Sequence, residues 1–186
     1  MKLMKKTNNS YLYEKIKLRE KLINDIKWDI FVLDCYWWEW VIWSNIWQKR
    51  KVVRIWIDKK KYNNWHNLIW DNLKVLPTLD LNKFNVIDLD AYWYPDRQLE
   101  LVINKWYKWI VFCTFISWMW AMWWLTKNIF NKIWYNYKDV SKIKTLFSKD
   151  YIEKTKWYLY SLWIRKIYFY LKGEQKNKLY TWFCIK

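Results

Sequence analysis

The sequence predicts an α/β domain: a mostly parallel sheet of about seven strands, helices on both faces, and a C-terminal antiparallel hairpin. Three observations lead there. Short apolar runs, the first two ending in an acid, alternate with helix-patterned stretches, as in a sheet whose strands are covered on both sides. The last two apolar runs are joined only by a polar turn, which suits a hairpin. A chain of 186 residues is long enough to bury one core without metals or disulfides.

Taken in order, residues 1–27 form an N-terminal extension whose Tyr11 to Ile26 stretch has apolar positions at helical spacing among many charges, and residues 28–186 form the main domain. Asp29 to Cys35, DIFVLDC, reads as the first strand. Val41 to Gln48 is short and helical in pattern, and Val52 to Asp58, VVRIWID, is the second strand. Asn67 to Asp71 is a brief third strand, Phe84 to Asp90 a fourth, Gln98 to Lys105 a helix, and Trp109 to Phe115 a fifth strand. The lysine-rich region up to Asp150 reads as irregular. Tyr151 to Leu162 is a helix, and Ile164 to Leu171 and Leu179 to Ile185 are the closing strands.

The composition departs from ordinary proteins in one direction: 20 Trp against a single Gly, Gly173. Glycine is the default where φ must be positive or where backbone approaches a ligand, so an α/β domain with one glycine is hard to build. Trp28, Trp47, Trp56, Trp65, Trp70, Trp106, Trp109, Trp134, Trp157 and Trp163 sit at turn-like positions, following glycine's distribution. One economical explanation is that UGA codons in this gene mean glycine in its host. Trp43, inside a helical stretch, reads instead as a true tryptophan used for packing.

The net charge of +17 suits a nucleic-acid partner, although the same lysine excess follows from an AT-rich gene. Cys35, Cys113 and Cys184 are far apart and His66 is alone, so neither a disulfide framework nor a metal site is expected. The N-terminus turns polar before an apolar stretch forms, which predicts no signal peptide and a cytoplasmic protein. Trp109 to Leu125 carries no charge and, as written, raises a membrane-anchored Trp-rich protein as a rival.

The turn after the first strand, Asp34-Cys35-Tyr36-Trp37-Trp38-Glu39-Trp40, becomes VLDCYGGEG when its tryptophans are read as glycine together with the preceding Val-Leu. That spelling resembles motif I of the class I S-adenosylmethionine-dependent methyltransferases, a Rossmann-like family. Asp88-Leu89-Asp90-Ala91-Tyr92-Trp93-Tyr94-Pro95 is similar to motif IV of amine-directed nucleic-acid methyltransferases, closest to the tRNA guanine-N2 form, with Ala91 and Tyr94 as departures. The resemblance implies S-adenosylmethionine (SAM) as cofactor, held by Asp34, Tyr36, Trp38, Trp40, Asp58 on the ribose, and Asp71 near the adenine. It also implies that Asp90 orients the accepting amine, Tyr92 lines or stacks on the target base, and Asp88 supports the loop.

The function so implied is methyl transfer to a nucleic-acid base amine, RNA more than DNA. Three other readings stand beside it. Asp88 and Asp90 would merely cap the following helix, the chain would be a membrane protein held by its 109–125 segment, or it would be a non-catalytic basic module that stacks on single-stranded nucleic acid.

Overall fold

The computed structural model describes residues 12–24, 26–36, 41–47, 52–58, 67–69, 71–90, 94–116, 127–133, 151–170 and 178–184. Its sheet contains β1 (Ile30–Asp34), β2 (Val52–Asp58), β3 (Asn67–Ile69), β4 (Val86–Leu89), β5 (Ile110–Ile116), β6 (Ile167–Tyr170) and β7 (Lys178–Cys184). Six of these run four to seven residues, whereas β3 is a three-residue edge. Against an expected sheet of about seven strands, the chain thus builds six of ordinary length and this short edge. Asp71, read as the end of a third strand, instead turns the chain: its carboxylate accepts the Leu73 N–H and caps α3 (Asn72–Val75).

The strand order is β3-β2-β1-β4-β5-β7-β6. Every pairing from β3 to β5 is parallel, and β7 runs antiparallel to both β5 and β6. This is a Rossmann-like sheet in which the closing hairpin folds back, so that β7 enters between β5 and β6. Successive residues of each strand feed opposite faces. Val32, Val86, Ile110, Phe112 and Tyr180 join one apolar cluster, while Leu33, Ile87, Val111, Cys113 and Leu179 join another.

Helices α1 (Leu12–Asn24) and α2 (Val41–Trp47) cover the first face through Leu18, Ile23, Trp43 and Ile46. Helices α3, α4 (Asp96–Asn104), α5 (Lys127–Lys132) and α6 (Tyr151–Ser161) cover the second through Leu99, Val102, Ile129, Phe130, Tyr158 and Leu159. Neither α3 nor α5 was legible, since four and six residues give too few turns for a periodic pattern. Ile110–Ile116, the described part of the proposed membrane segment, is a strand between β4 and β7. None of the described helices is long and apolar enough to cross a membrane.

Two helix ends show what the tryptophans do to the backbone. Among the described residues, two non-glycine residues have positive φ, Trp106 (57°) and Trp163 (64°), and both are tryptophan. Trp163 occupies the left-handed position after α6: its N–H donates to the Tyr160 carbonyl and the Ile164 N–H to the Leu159 carbonyl, with both apolar partners buried. That bond pair is the Schellman stop, a place glycine ordinarily takes. Trp106 follows α4 in the same manner, its N–H donating to the Ile103 carbonyl. The two indoles are 81% and 80% exposed, so they gain almost no burial in return. Trp157, within α6, and Trp56, within β2, do not lie at turns as the sequence pattern implied.

Candidate functional site

The strand order reverses direction between β1 and β4, and in open α/β sheets this point opens a crevice beyond the carboxyl ends of the strands. Asp34 and Asp88, at or next to those ends, are direct register partners. Two carboxylates side by side on a buried face repel one another and are costly to desolvate. The fold answers with cations from both sides. Arg54 on β2 lies within electrostatic reach of both acids, and Arg19 of α1 lies across β4.

Arg19 is buried, and its guanidinium grips Asp88 with two bonds, Nε to Oδ2 and Nη2 to Oδ1, each 2.8 Å. The Trp43 indole N–H also donates to Asp88 Oδ2 at 2.9 Å. The guanidinium lies 5.0 Å from the Phe112 ring centre and 5.9 Å from that of Trp43. Planar delocalised charge stacks well on aromatic faces, and the fork matches a carboxylate. Burial alone lowers the affinity of Arg19 for its proton, but Asp88 and Asp90 outweigh it and hold the charge firmly.

Asp90, just past β4, has both oxygens engaged. Thr114 donates to Oδ1 at 2.5 Å; Lys15 of α1 sits 2.6 Å from Oδ2 and Arg19 Nη2 3.4 Å from it. Burial would raise this carboxyl, yet Lys15 and Arg19 override it and hold the group down at about 2. Asp90 is therefore an anion that accepts hydrogen bonds and does not retain a proton near neutrality. The cap reading of Asp88 and Asp90 is corrected: α4 begins after Pro95 without a side-chain cap bond, and both acids face α1 instead.

Asp34 is pushed the other way, to about 7, by burial first and then by Asp88, with Arg54, the Tyr36 N–H and Arg19 opposing. A carboxyl raised on folding contributes stability below its unfolded value and loses it as pH rises through its folded value. Wild-type stability should therefore fall by on the order of 3 kcal/mol between about pH 4 and about pH 7 through this group. Asp34→Asn, which mimics the protonated form, should flatten that slope. Urea midpoints across the window test it, and an equal slope in both proteins would count against the assignment.

Beyond β1 the backbone is tied down. The Cys35 N–H donates to the Asp88 carbonyl, Asn72 Nδ2 to the Cys35 carbonyl at 3.0 Å, and Gln98 Nε2 to Asn72 Oδ1 at 3.0 Å. Tyr36, half-buried, gives its N–H to Asp34 Oδ1. Asp58 is the last residue of β2, paired in register with Ile69, and Asp71 caps α3 two positions past β3. The structure thus brings Asp34, Tyr36, Asp88 and Asp90 together at the carboxyl ends of β1 and β4, with Asp58 at the end of β2 and Asp71 two positions past β3. Trp38, Trp40 and Tyr92 lie outside the described residues, as do Trp37, Trp93 and His66. Cys113 is buried within β5, and burial pushes its thiol well up, which fits an inert packing role.

Sequence reasoning missed Lys15, Arg19, Arg54 and Thr114. Arg19 had a signal. It stands four residues before Ile23 on the buried side of α1, where a cation needs a partner.

No protein-family model and no curated protein sequence matches this chain. Solved structures do. The chain is similar to a SAM-dependent methyltransferase from Archaeoglobus fulgidus, 12% identical over 92% of this chain and 93% of that one, with a TM-score of 0.54. It is similar to a candidate hemolysin from Lactococcus lactis, 11% identical over 100% and 90%, TM-score 0.56. A candidate O-methyltransferase from Nostoc punctiforme is 10% identical over 94% of this chain and 57% of that one, TM-score 0.52. Likeness at these identities establishes the Rossmann-like fold that SAM-dependent methyltransferases share.

Proposed function

We propose that this chain is a cytoplasmic SAM-dependent methyltransferase acting on a nucleic-acid base amine, in RNA more than DNA, and that most of its tryptophans stand where the native protein has glycine. The observation that carries the first part is the cluster of acids, Asp34, Asp88 and Asp90, at the carboxyl ends of the paired strands β1 and β4. Asp58, the last residue of β2, would meet the ribose hydroxyls of an adenosyl group, and Asp71, past β3, would lie near its adenine. When bound, the cofactor supplies a methyl group on positive sulfur, which a nitrogen lone pair takes as the C–S electron pair stays on sulfur.

Asp34 and Tyr36 would hold the cofactor through the turn after β1. Asp90 would accept an N–H of the acceptor, fixing the nitrogen and raising its electron density. The amine's proton would leave to water. Asp88, gripped from three directions, would keep the β4 turn rigid. Tyr92 would line the base.

Support for glycine comes from Trp106 and Trp163, exposed indoles held in the left-handed region at helix stops. The reading does not extend to Trp43, which is buried with its N–H bonded. Peptide mass spectrometry of the protein from its native host tests the identity of residues 37, 38, 40, 93, 106 and 163, and tryptophan at these sites would sink it.

Methyl transfer from labelled SAM to RNA and DNA tests the activity. Asp90→Ala should reduce kcat by about a hundredfold or more with the fold intact. Undiminished transfer by that variant would remove Asp90 from its role.

A further inference from the structure

We infer, resting on the methyltransferase reading, that Lys15 is a specificity-determining residue: its ammonium holds the acceptor's place on Asp90 and yields it to substrates that bring a phosphate. The geometry separates the two cations of α1. Arg19 is locked, with both bonds to Asp88 buried, its Nη1 donating to the Lys15 carbonyl at 3.2 Å, and aromatic rings against its plane. Lys15 makes one close contact to Asp90, its side chain is 19% exposed against 2% for Arg19, and its ammonium lies 5.5 Å from the Tyr180 ring centre. A point charge on a flexible stem can leave; a buried fork cannot.

Asp90 already holds three donors before any acceptor arrives, one on Oδ1 and two on Oδ2. Thr114 takes Oδ1 and Lys15 takes Oδ2. A neutral amine that takes the Lys15 position on Oδ2 displaces an ammonium, exchanging a charge-assisted bond for a weaker one. For a free nucleoside that exchange is unfavourable, because the released ammonium has only water to meet. A nucleotide within a strand offers a phosphate to the departing Lys15, and the exchange then swaps one anion for another. Arg19 and Thr114 remain on Asp90 throughout. The acceptor class is thus a base amine flanked by backbone phosphate, and free nucleosides are excluded by the same contact.

The test uses the full chain carrying the residues that mass spectrometry finds at the tryptophan positions, with an oligoribonucleotide and the matching free nucleosides as acceptors. Wild type should methylate the oligonucleotide and barely touch nucleosides. K15Q should raise kcat/KM for nucleosides roughly tenfold, lower it for the oligonucleotide, and reduce the salt slope of oligonucleotide binding by about one. K15R, whose fork stays on Asp90, should push nucleoside transfer lower still and gives the opposite-direction reading should K15Q not fold. Equal changes for both acceptors, or K15R matching K15Q, overturn the gate alone. Wild-type protein that folds yet binds no SAM or methylates neither acceptor overturns the methyltransferase reading, and this inference with it.

Discussion

Arg19→Met should destabilise the fold by about 3–5 kcal/mol, the cost of leaving a buried carboxylate without its partner. Asp88 is the group left behind: it is buried on the sheet beside Asp34, and after the change only the Trp43 N–H remains of its three close donor contacts. Methionine fills much of the arginine stem's volume, so lost packing contributes little to the expected loss. A second change separates charge from volume. Asp88→Asn in the Arg19→Met background should recover a large part of the stability, because the amide no longer needs a cation. Urea unfolding of the four proteins gives the coupling directly. Additive effects, with no recovery in the double variant, would show that Arg19 matters for packing and not for the acid cluster.

That cluster also shows which parts of the molecule the sequence makes legible. Val52–Asp58 was bounded to the residue, and β1, β4 and β5 to within two, because continuous apolar runs ending in polar residues describe strands covered on both faces. The acids at those strand ends were legible for the same reason. Their partners were not, since nothing in a linear pattern says that α1 lies over the end of β4, sixty-nine residues away for Arg19 and Asp88. Residue choice still held a clue. Lysine outnumbers arginine heavily here, 29 to 5, yet Arg19 and Arg54 are both arginines buried beside acids. A planar fork is what such a place requires, and lysine does not supply it. The lysine-rich stretch before α6 was opaque for the opposite reason: charge scattered without period identifies neither face nor element.

Restoring glycine should have two separable effects. At the helix stops, W106G and W163G should each stabilise the chain by about 1–2 kcal/mol, the penalty of a Cβ in the left-handed region, seen as roughly 2–4 °C in Tm per kcal/mol. Alanine is the control. It removes the same exposed indole but keeps the Cβ, so W106A and W163A should recover little, and equal gains from alanine and glycine would assign the effect to the indole and not to the backbone. At the cofactor turn the gain should be in binding. With W37G, W38G, W40G and W93G together, SAM affinity should move from undetectable at millimolar ligand into the micromolar range, about three orders of magnitude or 4 kcal/mol. On the methyltransferase reading, an indole there would fill the space that the cofactor's approach to the backbone requires. Calorimetric titration of the written and restored chains decides the point: tight SAM binding by the chain with every tryptophan in place would leave the glycine reading without a function to explain.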